Sequence, residues 1–443
     1  MLIKIEIENF RSFKNRIIFH TLQRNYKRFL EHVHTINEDV KVLKTSGMYG
    51  SNGSGKSNLF KALYYLKRMV EDRNFLRSVE AIKNFTPFKL DTVYLEKPIQ
   101  VELDILVGSK VFIYKINFEA KSRKIIYEEL IKIDPSAGEL IIFERLDNFV
   151  KFPNNPVLNA LESQLSTALD PHTSILCFEL VNDPEIEEVS DWFLNKTGFL
   201  WPTYEFDDIA YIFTQKEEYL QLANNIIKPL NVGIDKLEIK LVPINIYLGL
   251  DNKDTITQIT SMLQSKTHHS FQDKMGNFCT ALKVDNDEIQ IAKLVCIHYD
   301  NQGEPVPFDL DQESRGTIVI LHLLPALIRS YGEGVNYFID DINTSLHPVL
   351  LKEILGQYLT FNLGNAKGQL IFNSHEDLLM DETIVRQDEI WLMEKKNGIS
   401  DLFPLSDFSN VRFDLNLRKN YLNGKFGAVP FEHKPEKFVF GDE

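Results

Sequence analysis

Cysteine is scarce in this chain, and long apolar runs are missing. Its 443 residues include three cysteines, Cys177, Cys279 and Cys296, which form no CxxC pair and have no metal-ligand spacing. We interpret them as free or buried thiols of a protein in the reducing cytosol, which excludes a disulfide framework. No stretch approaches the roughly 18 consecutive apolar residues of a membrane span, so no membrane association is expected.

An excess of positive charge is also missing. The formal net charge is −14, so the chain as a whole has no electrostatic attraction to DNA or anionic lipid. The short basic runs at 24–28 and 418–425 are interpreted as solvated surface. Direct nucleic-acid contact stays open, but it would need a local basic patch or a partner protein. Sustained heptads and tandem repeats are absent too, which argues against a long coiled-coil arm.

The pattern of apolar residues divides the chain into four segments. Residues 1–155 contain a strand, a glycine-rich loop, a helix and then, at 98–145, short runs typical of an antiparallel sheet. Residues 156–235 have helical periodicity and are interpreted as a helical insertion. Residues 236–400 alternate strands and helices, which favours a parallel sheet, and residues 401–443 form a tail. The predicted fold class is α/β.

The segment Gly-Ser-Asn-Gly-Ser-Gly-Lys-Ser at 50–57 matches GxxxxGK[ST] in full. In such a loop the glycines let successive N–H groups point at phosphate oxygens, and the following helix adds its N-terminal dipole. Lys56 should reach the β- and γ-phosphates, and Ser57 should hold Mg²⁺. The residues assigned to nucleotide binding here are Gly50, Asn52, Gly53, Gly55, Lys56, Ser57 and Asn58.

A nucleotide-binding P-loop also requires a neighbouring strand that ends in carboxylates, which support Mg²⁺ and the attacking water. The apolar run NYFID ends in Asp340 and Asp341. We predict that Asp340 supports Mg²⁺ and that Asp341 polarises the attacking water. His375 follows the next buried strand and is a candidate contact of the γ-phosphate. Taken alone, the acid pair would be interpreted as a surface loop, and the histidine would fit an ordinary loop residue and a functional one equally well. Because the P-loop requires such a strand, we favour the functional interpretation of the acid pair.

Several further motifs resemble one family. They are NFRSF at 9–13, GSNGSGKSNL at 50–59, TPFKLD at 86–91, IIYEEL at 125–130, ESRGT at 313–317, IDDINTSLHP at 339–348, NSHEDLL at 373–379 and the tail at 405–430. Together they resemble the RecF/SMC/OLD-like branch of ABC ATPases. The nearest type is similar to the compact ATPases of bacterial abortive-infection and anti-phage systems, such as AbiLi and RloA. The resemblance implies an ABC-type ATPase head with an antiparallel β-subdomain and a helical insertion, with ATP and Mg²⁺ as cofactors.

The resemblance also implies residue roles. Ser314 and Gly316 match the ABC signature, which in the family meets the γ-phosphate of ATP bound by the other subunit. A homodimer or a larger even-numbered assembly is therefore expected. Arg11 is expected on or near the adenine, and His347 lies on the loop after the carboxylates. Glu128 matches a glutamate found in many relatives, with no assigned role.

Two positions depart from the family. Asp341 replaces the usual glutamate, and Asn343 replaces the usual aspartate of the dimer-contact loop. The shorter acid suggests slow hydrolysis, which would suit a switch that holds an ATP-bound dimer.

Four functions remain as hypotheses. The first is a cytoplasmic defence ATPase that controls a separately encoded toxic effector, namely a nuclease. The second is a RecF/SMC-like DNA repair ATPase. The third is a transporter subunit, against which the ESRGT signature and the inserted sheet argue. The fourth is an ATP-dependent scaffold without hydrolysis.

Overall fold

The computed structural model describes residues 1–37, 40–202, 209–249, 251–264, 266–273, 278–284, 288–359, 365–408 and 416–429. The strands are β1 (Leu2–Glu8), β2 (Ile17–His20), β3 (Val33–Thr35), β4 (Lys41–Leu43), β5 (Thr45–Tyr49), β6 (Ile99–Val107), β7 (Lys110–Phe118), β8 (Ile125–Asp134), β9 (Gly138–Leu146), β10 (Phe149–Lys151), β11 (Thr197–Leu200), β12 (Lys236–Pro243), β13 (His268–Gln272), β14 (Phe278–Lys283), β15 (Ile289–Tyr299), β16 (Pro305–Phe308), β17 (Asn336–Ile339), β18 (Leu370–Ser374), β19 (Ile390–Lys396) and β20 (Ile399–Pro404). The α-helices are α1 (Lys56–Glu71), α2 (Val79–Asn84), α3 (Pro156–Asn159), α4 (Glu162–Ala168), α5 (Pro184–Asn195), α6 (Ile209–Gln215), α7 (Glu217–Ile227), α8 (Ile244–Leu248), α9 (Lys253–Met262), α10 (Arg315–Glu333), α11 (Pro348–Gln357) and α12 (Leu417–Leu422).

The chain divides into two compact units. The first unit comprises Met1–Phe199, Asn336–Ile342 and Gln369–Glu443, and the second comprises Leu200–Val335 and Asn343–Gly368. Each unit is therefore built from segments far apart in sequence.

A six-stranded sheet with the order β11-β17-β18-β5-β19-β20 forms the centre of the first unit. Strands β17, β18, β5 and β19 run parallel, and β20 pairs antiparallel with β19 at the edge. Strands β5 and β18 are buried along their whole length, as expected for parallel strands covered on both faces. Helix α1 packs on this sheet, with the rings of Phe60 and Phe338 5.6 Å apart.

A seven-stranded antiparallel sheet completes the first unit, with the order β10-β9-β8-β7-β6-β1-β2. It matches the antiparallel β-subdomain predicted at 98–145 and adds β1 and β2 from the N-terminus. The buried Gln369 joins the two sheets. Its Oε1 accepts from Leu2 N at 2.6 Å, and its Nε2 donates to the carbonyl oxygens of Leu2 and Leu43, both at 2.9 Å. The N-terminal strand is thereby tied to the start of β18.

The second unit contains an antiparallel sheet with the order β12-β15-β14-β13, with β16 also paired to β15. A hydrophobic cluster that includes Ile244, Ile259 and Ile291 joins helices α8 and α9 to this sheet. The prediction of a parallel sheet is therefore wrong for β12–β16 and correct for β17, β18 and β19. Short connections explain the difference, because the tight turn Asp300–Gly303 joins β15 directly to β16, and parallel strands would need a long crossover.

The region predicted as a helical insertion contains helices α3 to α7. It also contains β11, a strand that the sequence did not predict and that lies at the edge of the central sheet. The four sequence segments proposed as domains stay a prediction.

Candidate functional site

The P-loop connects β5 to α1, and its glycines adopt backbone conformations that other residues rarely adopt. The φ angles of Gly50, Gly53 and Gly55 are 152°, 74° and 114°. A Cβ on Gly50 would lie 2.1 Å from the Met393 carbonyl oxygen, and a Cβ on Gly55 would lie 2.5 Å from Ser400 Oγ. Glycine is therefore required at these turns of the loop. The neighbouring Asn52 is exposed at the tip of the loop.

The Lys56 side chain folds back across the loop and is 4% exposed. Its Nζ donates to the carbonyl oxygens of Gly50 and Ser51 at 2.7 and 3.1 Å, and it lies 3.1 Å from His375 Nδ1. Burial lowers the pKa of Lys56 to about 8, an effect that two nearby aspartates partly oppose. The ammonium group thus lies in a partly desolvated site, where an anionic ligand would favour its charged form.

His375 joins Lys56 to Asp341. Its Nε2 lies 3.1 Å from Asp341 Oδ1, on the opposite side of the ring from Lys56. Because an ammonium group can only donate, Nδ1 accepts and Nε2 carries the proton that faces the carboxylate. The hydrogen bond from His375 lowers the pKa of Asp341 below its usual value. Asp341 also has a φ of 48°, a conformation that aspartate tolerates better than most residues.

Asp340 is buried and lies beside Ser57. Burial raises its pKa, while hydrogen bonds from Asn373 and Ser57 oppose the shift. Asn373 Nδ2 donates to Asp340 Oδ1 at 2.5 Å, and its Oδ1 accepts from the Asp341 backbone N–H at 2.9 Å. One fully buried amide on β18 thereby positions both acids at the end of β17.

Arg11 contacts Asn58, which lies in the first turn of α1 just after the P-loop. The Arg11 guanidinium donates to the Asn84 carbonyl oxygen at 3.0 Å and to Asn58 Oδ1 at 3.4 Å, and it lies 6.0 Å from the Tyr65 ring centroid. Asn58 Nδ2 in turn donates to Ser12 Oγ at 2.8 Å. Arg11 is therefore fixed beside the first turns of α1.

The predicted signature residues belong to the second unit. Ser314 is the N-cap of the 19-residue helix α10, and its Oγ accepts from Thr317 N at 3.2 Å. Gly316 follows in the first turn. His347 caps α11 in a similar way, accepting from Val349 N at 3.3 Å, and Asn343 is half-buried in the loop before it.

Glu128 lies within the seven-stranded sheet and forms part of a buried polar network. It accepts from Tyr114 Oη at 2.9 Å and from Ser174 Oγ at 2.5 Å. It also pairs with Arg145 at 3.4 Å, and neither side chain is exposed. The geometry assigns Glu128 a structural role, which the resemblance left open.

Sequence reasoning missed three residues that contact this site. Asn373 has a weak signal, since it is a polar residue at the end of a buried strand before His375. Ser12 lies in the NFRSF motif at 9–13, which pointed to Arg11 and not to the serine, and Ser400 has no distinctive pattern around it. Ser400 lies 344 positions along the chain from Lys56, and only the pairing of β20 with β19 brings it to the loop.

The described residues contain no cluster of three or more histidine, cysteine, aspartate or glutamate side chains suited to a metal ion. A cation held by Ser57 and Asp340 would therefore need further oxygen ligands from phosphate or water. Among the same residues, no helix is both long and apolar enough to cross a membrane.

Comparisons with solved structures find distant likenesses. The first is to an SMC head bound to the C-winged helix domain of ScpA, at 11% identity and a TM-score of 0.44, covering 92% of this chain and 99% of that one. The second is to the SMC head domain from Thermotoga maritima, at 11% identity and a TM-score of 0.39, covering 91% and 98%. A third, to an Smc head domain with an extended coiled coil bound to the C-terminal domain of ScpA derived from Pyrococcus furiosus, has 12% identity and a TM-score of 0.36, covering 92% and 97%.

No curated protein sequence matches the chain. The fold is α/β, with a P-loop between a parallel strand and a helix and with an antiparallel β-subdomain, as the sequence predicted. A family model described as "AAA domain, putative AbiEii toxin, Type IV TA system" matches residues 46–381, more than half of the chain, and the protein belongs to that family.

Proposed function

We propose that this protein binds ATP with Mg²⁺ and hydrolyses it to ADP and phosphate. The observation that carries the proposal is the hydrogen-bonded series Lys56–His375–Asp341, beside a P-loop whose glycines have the positive φ angles that the loop requires. An ammonium group, a histidine and a carboxylate from three separate chain segments meet there. This arrangement is suited to phosphoryl transfer, in which catalysis depends mainly on positioning and charge.

The residues present fit the expected cation. The Ser57 hydroxyl and the Asp340 carboxylate are neighbours, and both are hard oxygen ligands of the kind that Mg²⁺ prefers. When bound, the cation would neutralise charge on the phosphates. Asn373 holds Asp340 in place by its 2.5 Å hydrogen bond.

The side chains around the phosphates would have distinct tasks. Lys56 would transfer its hydrogen bonds from the loop carbonyls to phosphate oxygens, balancing their charge. Asp341 would orient the attacking water and accept its proton. His375, which contacts both residues, would hold Asp341 at the right distance from the γ-phosphate.

Phosphate release by the purified protein, measured with Mg²⁺-ATP, tests this mechanism. We expect Lys56→Ala to abolish nucleotide binding, and Asp341→Asn to retain binding while turnover falls at least a hundredfold, as for removal of a catalytic base. Lys352→Ala, an exchange of a lysine in the second unit, serves as the charge-matched control. Wild-type protein that binds ATP but releases no phosphate would leave the scaffold hypothesis standing.

We also infer that ATP joins two copies of the chain. The signature match at Ser314 and Gly316 supports this, because a signature contacts the nucleotide of a partner subunit in the family that the chain resembles. Ser314 is exposed at the start of a long helix, where backbone N–H groups can bind an anion.

The biological role that we propose is anti-phage defence. The motif set and the tail resemble the AbiLi and RloA type, and the family description is compatible with a toxin system. The ATP-bound dimer would act as sensor and regulator of a separately encoded effector, namely a nuclease.

Phage plating on cells that carry the gene with its native neighbours tests this role, with wild type compared with Lys56→Ala. Plating that falls with wild type and recovers with the variant would support defence driven by ATP binding. Equal plating of a broad phage panel on both strains would contradict it. Strong stimulation of hydrolysis by DNA would then favour the repair hypothesis.

A further inference from the structure

Two buried serines lie against the P-loop without belonging to its motif. Ser12 and Ser400 are 9% and 0% exposed. Ser400 Oγ donates to the Ser54 carbonyl oxygen at 2.5 Å and lies 2.8 Å from Ser12 Oγ. The backbone N–H of Ser400 also donates to the Ser12 carbonyl oxygen at 2.9 Å. On its far side, Ser12 Oγ accepts from Asn58 Nδ2 at 2.8 Å.

These contacts fix the direction of one peptide group in the loop. In a trans peptide the C=O and the following N–H point in opposite directions. The carbonyl of Ser54 is turned towards Ser400, so the N–H of Gly55 is turned away from it. Backbone N–H groups of a P-loop bind phosphate oxygens, and a reversed peptide would instead present a carbonyl oxygen to them.

The two serine side chains pack closely against the P-loop backbone at Gly55. A Cβ on Gly55 would lie 2.5 Å from Ser400 Oγ and 2.9 Å from Ser12 Oγ. Both hydroxyl groups therefore lie close against the loop at Gly55, and Ser400 Oγ contacts it directly. Without Ser400, the buried carbonyl of Ser54 would lose this hydrogen bond, and a buried polar group without a partner is costly.

We propose that Ser400, supported by Ser12, is a positioning residue for phosphate binding. Ser400 holds the Ser54 carbonyl so that the Gly55 N–H faces the phosphates of the nucleotide. This inference rests on the proposed nucleotide binding. On this proposal β20, which is far from the P-loop in the sequence, contributes a residue that shapes the loop.

Equilibrium binding of Mg²⁺-ATP and Mg²⁺-ADP to the full-length protein tests the proposal. For Ser400→Ala we expect affinity for both nucleotides to fall about fivefold, which corresponds to the loss of one hydrogen bond. Ser330→Ala is the matched control. Ser330 is also fully buried, and its Oγ bonds another hydroxyl, that of Tyr358, at 3.0 Å. It should bind both nucleotides like wild type, with a comparable fall in melting temperature.

Ser12→Ala gives a second, milder test, with an expected loss of about twofold to threefold in affinity. Because Ser12 acts through Ser400, the double variant Ser12→Ala/Ser400→Ala should bind no more weakly than Ser400→Ala alone. If the two single variants lose affinity equally and the double variant loses the product of both, Ser12 does not act through Ser400 and this part of the proposal is overturned. If Ser400→Ala does not fold, wild-type affinity in Ser12→Ala would overturn the proposal.

The outcomes separate this inference from the proposed function. If wild type and Lys56→Ala both fail to bind nucleotide, the proposed function fails. If wild type binds, Lys56→Ala does not, and Ser400→Ala binds as tightly as Ser330→Ala, only the role of Ser400 is overturned.

Discussion

At the scale of single residues, the candidate site contains two groups whose pKa values are shifted from their usual values. Lys56 is buried among carbonyl oxygens and His375, and its pKa is lowered to about 8. Asp341 has a lowered pKa because His375 donates to it. Perturbed groups that converge in this way are typical of functional sites.

The lowered pKa of Lys56 predicts that ATP binding depends on pH. Phosphate favours the charged ammonium group, so binding raises this pKa and takes up a proton. Affinity for ATP should be highest below pH 8, where Lys56 is charged. It should fall as the pH rises above about 8, by up to roughly tenfold per pH unit. Titrations of Mg²⁺-ATP between pH 7 and pH 10 measure this slope.

Lys56→Arg is the control for this dependence, because a guanidinium group stays charged throughout the range. The comparison concerns the slope, since arginine can also change the affinity itself. An equal slope in wild type and Lys56→Arg would assign the pH dependence to another group.

The length of the acid at position 341 predicts a slow enzyme. Asp341 is one methylene shorter than the glutamate usual in the family that the chain resembles, and its 3.1 Å contact with His375 directs it towards the ring. We expect Asp341→Glu to raise turnover about tenfold with little change in KM. Steady-state phosphate release measures both constants, and unchanged turnover would contradict the idea of a slow switch.

At the scale of elements, buried polar side chains connect segments that the backbone alone does not join. Arg145 on β9 pairs with Glu128 on β8 and donates to the carbonyl oxygens of Asp147, Asp170 and Thr173. The network anchors the segment after α4 to the antiparallel sheet. Its hydrogen bonds are what make a fully buried ion pair tolerable there.

Removing one partner of this pair should be strongly destabilising. We expect Arg145→Ala to lower the free energy of unfolding by about 3–5 kcal/mol, because Glu128 would remain buried without its cation. Arg73→Ala is the control, since the 3.5 Å pair of Arg73 with Glu179 is exposed, at 59% and 79%, and such pairs contribute at most about 1 kcal/mol. Denaturant unfolding curves measure both changes, and similar values would contradict the structural role of the network.

At the scale of the whole molecule, each unit is assembled from distant segments of the chain. The first unit contains both ends of the described sequence, and Gln369 ties the N-terminal strand to β18. The P-loop belongs to this unit, whereas Ser314 belongs to the second. In the proposed dimer, each ATP would need groups from both kinds of unit.

A dimer joined by ATP should accumulate when hydrolysis is blocked. We expect Asp341→Asn with Mg²⁺-ATP to double its mass in light scattering, and to remain a single chain with ADP. Ser314→Arg in the same background should bind ATP but stay a single chain, because the bulky side chain would block the signature contact. Dimerisation that persists in this double variant would contradict the role of Ser314.

Local patterns in the sequence were sufficient to predict the P-loop, the strand ending in Asp340 and Asp341, and the antiparallel sheet near 98–145. Each of these depends on residues close together in the chain, namely loop glycines, a buried strand and alternating apolar positions. The sequence also indicated His375 as a candidate, although its contacts with Lys56 and Asp341 were not predictable.

Only the tertiary structure decided which distant residues meet at the loop. The sequence assigned no role to Asn373, Ser12 or Ser400. Sheet pairing places Asn373 against Asp340 and Ser400 against Ser54, and Ser12 contacts Ser400. The pairing of β12 with β15, two strands that β13 and β14 separate in sequence, was likewise not determined by strand spacing. Periodicity reports which face of a strand is buried, but the partner of a strand depends on long-range contacts that no local pattern contains.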